Sequence, residues 1–391
     1  MIKLYRHTKK GDATMDDKHT AAQENTIFES DYGASRQNEI NIEAARRAVS
    51  RNGINLSAFL LFANIAAFII YGIALLVLAI AQVLNGVTDQ ETIMVNIKGL
   101  MHQGNNLAVF NGLLNIASTH IVGFAVFCLL TAGTKRRSYK KGGLGVGRFI
   151  VLIPIALFLM SIGSFIGDSL NSIISSLFDL SIPNSTIEMF ENMPLWLAAI
   201  TTLVCAPIIE EFVFRRVMIG TLGRYGNVFA IIISSVAFGL FHGNLYQFFY
   251  AFLVGLVLGY VYVKSGRWWL SVLMHVIANF FGGILPLVIE KAAIRLAELE
   301  NLANAGESIN KLELILTETT VYGYNLLSLV LFSLGIALTV MALIKKWHKI
   351  ENDAEITLPK GSIGRVVFSN TGAIVFLSFC AISFALNLIL L

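Results

Sequence analysis

The sequence predicts an all-α fold, a polytopic bundle of about eight or nine transmembrane helices. Hydrophobic residues make up 55% of the 391-residue chain and charged residues only 14%, with a mean hydropathy of +0.70. A soluble domain carries about 25% charged residues. Several apolar runs reach about 20 residues, the length that crosses a bilayer. Each run is expected to be a helix, because a helix satisfies its own backbone hydrogen bonds in lipid.

The apolar runs divide the chain into nine predicted spans, of which the fifth is the shortest. They are expected at residues 55–84, 107–133, 149–175, 195–219, 228–243, 246–263, 268–288, 321–344 and 371–391. The first run starts too far from Met1 to be a signal peptide. The chain is therefore expected to have these parts: a polar cytosolic extension at 1–53, N-terminal transmembrane helices at 54–194, core helices at 195–288, an extracytoplasmic amphipathic segment at 289–320 and C-terminal transmembrane helices at 321–391.

Lysine and arginine in the short loops predict the orientation. Basic clusters precede the first span, follow the second, fourth and eighth, and join the sixth to the seventh. Nine spans with a cytoplasmic N-terminus place all of these clusters on the cytoplasmic side, as the positive-inside rule requires. The net charge of +4 follows from this topology and does not indicate nucleic-acid binding.

Two adjacent glutamates lie in the fourth span, where residues 206–218 read APIIEEFVFRRVM. A charge at mid-bilayer costs about 2.5–3.5 kcal/mol to insert, so such residues usually have a function. Pro207 lacks an N–H group and is expected to open the helix there. Glu211 and Arg215 are spaced i, i+4 and are predicted to pair. This pairing leaves Glu210 on another face as a candidate general base.

Two later spans contribute two histidines and an amide. FGLFH ends at His242 and has Phe238 one turn earlier, while HVIAN begins at His275 and ends at Asn279. Residues four apart project from one helix face. A lone histidine in an apolar helix is usually a hydrogen-bonded packing residue. Short connections hold these spans together, however, so we expect these side chains to converge with Glu210.

Other polar residues in the spans have no such neighbours. His120 in the second span and Asp168 in the third are interpreted as isolated packing residues. The three cysteines lie in apolar spans and form no CxxC pair, so they are interpreted as core residues.

Three kinds of chemistry fit these residues. The first is hydrolysis of a peptide bond by water, with Glu210 and a histidine as activating groups and a histidine and Asn279 as oxyanion donors. The second is a metal-dependent version with Glu210, His242 and His275 as Zn²⁺ ligands, although the chain has no HExxH. The third is a proton-coupled transporter, which the lack of an internal repeat disfavours. No P-loop or dinucleotide-binding motif is present.

The motifs EEFVFR, FGLFH and HVIAN resemble the EExxxR, FxxxH and HxxxN motifs of the CPBP family of intramembrane proteases. That family includes the type II CAAX prenyl endopeptidases and the Abi-like and lysostaphin-resistance-like proteins of bacteria. The resemblance covers about residues 195–285. It implies a CPBP-type protease core inside the membrane bundle.

The resemblance also implies roles for individual residues. Four would be catalytic: Glu210 and His242 would activate water, and His275 and Asn279 would form the oxyanion hole. Three would support them, namely Glu211, Arg215 and Phe238. The implied enzyme is a glutamic endopeptidase without a cofactor, and Zn²⁺ is the alternative.

The expected setting follows from the same resemblance. We expect an integral protein of a bacterial plasma membrane with a cytoplasmic N-terminus. Its partners would be the lipid bilayer and a membrane-associated peptide or protein substrate, either CAAX-like or a bacteriocin or peptide precursor. A non-catalytic bacteriocin-immunity or scaffold protein with the same fold is the alternative from another functional class.

Overall fold

The computed structural model describes residues 15–179, 190, 193–347, 349–351 and 353–389, with side chains described from residue 32 to residue 386. Residues 1–14 of the predicted polar extension and 180–189 of the predicted N-terminal helices lie outside this part of the chain. Within it, every regular element is a helix, which confirms the predicted all-α fold.

The helices of the described residues follow one another with mostly short connections. In chain order they are α1 (Met15–Leu84), α2 (Gln90–His102), α3 (Asn106–Thr131), α4 (Val146–Phe178), α5 (Leu195–Tyr225), α6 (Asn227–Phe241), α7 (Leu245–Ser265), α8 (Trp268–Asn304), α9 (Lys311–Ile344), α10 (Ile363–Phe368) and α11 (Thr371–Ile389). Seven of these, α1, α3, α4, α5, α7, α8 and α9, are long and apolar enough to cross a membrane, and α6 and α11 are apolar but shorter.

Helix α1 passes from the predicted polar extension into the first span without a break. Ile42 and Val49, which belong to the predicted extension, are buried. Farther along, α1 touches α11, because a Cβ atom at Gly53 would lie 2.3 Å from the Gly372 carbonyl oxygen. The Gly372 N–H donates to the Ser50 hydroxyl at 3.0 Å. The last turns of the predicted extension are therefore packed against the bundle.

Helix α7 lies between α4 and α6, and glycines permit both contacts. A Cβ atom at Gly163 of α4 would lie 2.4 Å from the Tyr250 Cα atom, and one at Gly167 would lie 2.8 Å from the Leu245 carbonyl oxygen. On α7 itself, a Cβ atom at Gly255 would lie 3.1 Å from a serine side chain of α6. Small residues allow membrane helices to pack this closely. The three helices are thus held in a fixed arrangement around the motifs.

Polar contacts connect the end of α5 with the loop between α3 and α4 and with the loop after α9. The Arg137 guanidinium donates to the Gly223 carbonyl at 2.9 Å and pairs with the Asp353 carboxylate at 2.7 Å. Arg224 pairs with Glu355 at 2.8 Å. The chain that follows α9 therefore folds back against the α5–α6 junction.

Candidate active site

Helix α5 has widened turns on both sides of Pro207. Ile200–Cys205 and Glu211–Ile219 are π-helical, a form that is frequent at functional sites. In a π-helix each carbonyl accepts a hydrogen bond from the N–H five residues later. For Thr202 that residue is Pro207, which has no N–H group. The Asn279 amide nitrogen of α8 donates to that carbonyl instead, at 2.8 Å. The opening predicted at the proline is thus closed by a side chain from another motif.

Glu211 and Arg215 form a fully buried ion pair. Arg215 Nε lies 3.1 Å from Glu211 Oε2, and both side chains have no exposed surface. The guanidinium also lies over the Phe238 ring, 4.8 Å from its centroid. The pairing that the i, i+4 spacing predicts is therefore present. It neutralises two charges inside the bundle and anchors the first motif against α6.

His275 lies between the two adjacent glutamates. Its Nδ1 atom is 3.0 Å from Glu211 Oε1, and its Nε2 atom is 3.6 Å from Glu210 Oε2. We assign the Nδ1 proton to the bond with Glu211, because a carboxylate accepts and an imidazole N–H donates. The Glu210 side chain is 17% exposed, whereas that of Glu211 is fully buried. Glu211 therefore orients His275. Of the two glutamates, Glu210 is the one that a substrate or water molecule can reach.

His242 is oriented by the backbone of its own helix. Its Nδ1 atom lies 2.8 Å from the Phe238 carbonyl oxygen. A carbonyl only accepts, so Nδ1 carries the proton and Nε2 of the neutral ring is left as an acceptor. The Phe238 ring packs edge to face against His242, with centroids 5.0 Å apart, and against His275, with centroids 5.7 Å apart. The Phe238 ring thus packs against the imidazoles of both His242 and His275.

A small cavity adjoins Glu210, with room for about one water molecule. Its lining is mostly apolar and consists of Phe59, Thr119, His120, Ile209, Glu210, Val213, Phe214 and Phe241. The sequence interpretation of His120 as isolated is therefore corrected, because the residue shares a cavity with Glu210. Helix α3 places its imidazole at the same cavity as the candidate base. No local spacing pattern indicates this, because the two residues meet only through the packing of distant helices.

The Zn²⁺ alternative has no gathered ligand set in this geometry. Among the described residues, no group of three or more histidine, cysteine, aspartate or glutamate side chains is placed to hold a metal ion. The predicted ligands Glu210, His242 and His275 thus do not form such a group here. Metal dependence stays a prediction that metal analysis of the purified protein would test.

Comparison with known proteins finds similarity in this part of the chain. Residues 192–281 match the family model described as type II CAAX prenyl endopeptidase Rce1-like. This stretch includes every site residue that the motifs predict. The family match and the Bacillus subtilis relative described next confirm the resemblance to the CPBP family of intramembrane proteases over residues 192–281.

Two bacterial proteins resemble the chain over part of its length. The Bacillus subtilis (strain 168) protein named "Putative membrane peptidase YdiL" is 30% identical over 102 residues, which cover 26% of this chain and 41% of that protein. An uncharacterized protein of Mycoplasma capricolum subsp. capricolum is 26% identical over 176 residues, which cover 40% of this chain and 50% of that protein. The chain thus matches half or less of the length of either relative.

No solved structure gives a significant match. The seven apolar helices support an integral membrane protein, and residues 192–281 carry the resemblance to the protease family.

Proposed function

We propose that the protein is an intramembrane endopeptidase that hydrolyses a peptide bond with water activated by Glu210 and His242. One observation carries this proposal: the buried Glu211 holds His275, whose other nitrogen faces Glu210 at 3.6 Å. A structural clamp within α5 needs only the pair of Glu211 and Arg215. A second, more exposed glutamate beside an oriented imidazole is the arrangement that proton transfer requires.

In this mechanism Glu210 is the general base. As the water oxygen attacks the carbonyl carbon, one water proton passes to the Glu210 carboxylate and negative charge develops on the carbonyl oxygen. The C–N bond then breaks, and the proton on Glu210 passes to the leaving amine. His242 accepts a hydrogen bond from the same water through Nε2. General-base assistance of this kind contributes about 10²–10⁴ in rate.

Two donors are available for the developing oxyanion. Asn279 uses one amide hydrogen on the Thr202 carbonyl, and its second amide hydrogen is available for substrate. His275 faces Glu210 in the resting arrangement. In this mechanism His275 is doubly protonated, with its Nδ1–H on Glu211 and its Nε2–H facing Glu210. Once Glu210 has taken up the water proton, its attraction for the Nε2–H group falls, and that group can donate to the oxyanion. An oxyanion donor contributes about 10²–10³ in rate.

The substrate class in this proposal is a peptide segment within or next to the membrane. The motif residues lie on α5, α6 and α8, all of them apolar helices. The name of the Bacillus subtilis relative, "Putative membrane peptidase YdiL", supports the same class of reaction. CAAX-like segments and bacteriocin or peptide precursors are the candidates, and the site is expected to open toward the cytoplasmic side.

The test compares purified variants in liposomes with quenched membrane peptides, prenylated and unprenylated. Glu210→Gln and His242→Ala are expected to lower the cleavage rate by at least about 100-fold. Glu290→Gln and His102→Ala serve as matched controls, because both residues are exposed and lie outside the motifs. If folded wild type cleaves no peptide, or if Glu210→Gln retains the wild-type rate, the proposal fails. The non-catalytic immunity or scaffold function would then be favoured.

A further inference from the structure

The cavity beside Glu210 contains a second ionisable side chain. Of the described residues that line it, only Glu210 and His120 are ionisable. The His120 Nδ1 atom is buried and forms no hydrogen bond of good geometry with a described residue, although the ring also interacts with the Asn115 backbone. A buried nitrogen is rarely left unpaired in a folded protein. One water molecule in the cavity would satisfy it, and the space is sufficient for one.

The local structure of α3 fixes the position of His120. Ile116–Gly123, which includes this histidine, is π-helical rather than α-helical. At the end of this segment α3 packs tightly on α1, because a Cβ atom at Gly123 would lie 3.1 Å from both the Ala63 Cβ atom and the Phe59 ring. Phe59 is itself part of the cavity wall. The contact between α1 and α3 therefore positions both Phe59 in the cavity wall and the His120 imidazole.

We propose that His120 is a positioning residue for Glu210 and that the two side chains share one bound water. In the shared arrangement, the water donates one hydrogen to His120 Nδ1 and the other to the Glu210 carboxylate. The imidazole proton then lies on Nε2, because Nδ1 accepts. The bridge holds the carboxylate in one orientation. The consequence for catalysis rests on the proposed peptidase function, whereas the bridge itself does not.

Three substitutions at this position separate positioning from packing. His120→Ala and His120→Leu are expected to lower kcat about tenfold with KM unchanged, because the carboxylate loses one water-mediated hydrogen bond and no substrate contact. His120→Asn retains a polar atom near the position of Nδ1 and is expected to recover most of kcat. His102→Ala, in exposed α2, is the control. If His120→Leu has the wild-type kcat, or if Asn and Leu are equally impaired, the positioning role is excluded.

A second measurement does not depend on peptidase activity. Histidine-selective ¹⁵N NMR in nanodiscs would record the ring nitrogens of wild type and of Glu210→Gln, with His120→Asn used to assign the signal. The His120 signals are expected to shift in Glu210→Gln, while those of His102 stay in place. If wild type cleaves no peptide, the proposed function fails and this measurement decides the inference. Shifted His120 signals support the shared water, and unchanged signals overturn it.

Discussion

The buried pair of Glu211 and Arg215 allows a quantitative prediction about stability. Both side chains are fully buried and 3.1 Å apart. Replacing Glu211 with Leu keeps the volume similar and leaves the Arg215 charge in an apolar interior. That guanidinium also lies 4.8 Å from the Phe238 ring centroid and 3.5 Å from the Ser234 hydroxyl, both uncharged. Glu210 also acts on it electrostatically but forms no ion pair with it among the described residues. Breaking a buried ion pair by removing one partner costs about 3–5 kcal/mol.

The double variant Glu211→Leu/Arg215→Met separates stability from activity. Replacing both members of a buried pair by apolar residues is often neutral. The double variant is therefore expected to recover most of the free energy of unfolding. It should still lack peptidase activity, because His275 Nδ1 loses the carboxylate that orients it at 3.0 Å.

Unfolding in mixed micelles, followed by a spectroscopic signal for helix content, would measure these changes. Arg295→Ala is the control, since Arg295 pairs with Glu298 and Glu313 on the exposed surface. Exposed pairs contribute little to stability, so this variant is expected to unfold like wild type. The reasoning is refuted if Glu211→Leu unfolds like Arg295→Ala, or if the double variant is no more stable than Glu211→Leu.

Three further predictions concern other contacts. Asn279→Ala is expected to lower the free energy of unfolding by about 1 kcal/mol, because the part-buried Thr202 carbonyl loses its donor. The loss should be smaller in a Pro207→Ala background, which restores a backbone donor, and equal losses in mixed-micelle unfolding would contradict this. Gly163→Ala is expected to cost about 1–3 kcal/mol by overpacking α4 against α7, whereas Gly147→Ala, with no atom nearby, should unfold at the wild-type midpoint. Hydrogen bonds from Thr92 lower the pKa of Asp89 at the N-terminus of α2. The protection factors of the amides there should therefore stay high above the usual carboxylate range and fall as pH drops through the lowered pKa, and Asp89→Asn should abolish that dependence.

The helices could be predicted from sequence because lipid leaves the backbone little choice. The ends of the helices could not be predicted equally well, since a helix does not have to stop at the membrane surface. Helix α8 continues from the predicted seventh span to Asn304, and α9 begins at Lys311, so both extend into the predicted amphipathic segment. The polar residues of that segment are compatible with a helix outside the bilayer.

Within the site, contacts along one helix were predictable and contacts between helices were not. The i, i+4 spacing is sufficient to predict the pair of Glu211 and Arg215. That His275 contacts both glutamates depends on how α8 is rotated against α5, which the sequence of either helix alone does not determine. The same holds for Asn279 at the Thr202 carbonyl. The clue to that contact was Pro207, since its missing N–H required a donor from elsewhere.

His120 shows the limit of motif-based reasoning most clearly. It lies on α3, outside the segment that matches the protease family at 192–281. Its sequence neighbours are apolar or small, so a packing role was the natural interpretation. The shared cavity and the electrostatic interaction between the two side chains connect it with Glu210.

The most direct test of the central claim is cleavage of one responsive peptide in ¹⁸O-labelled water by wild type and by Glu210→Gln of matched thermal stability. We expect wild type to release a product with one ¹⁸O atom in its new carboxylate. We expect Glu210→Gln to form that product at least about 100-fold more slowly. A folded Glu210→Gln protein that forms labelled product at the wild-type rate would show that Glu210 is not the base that activates water.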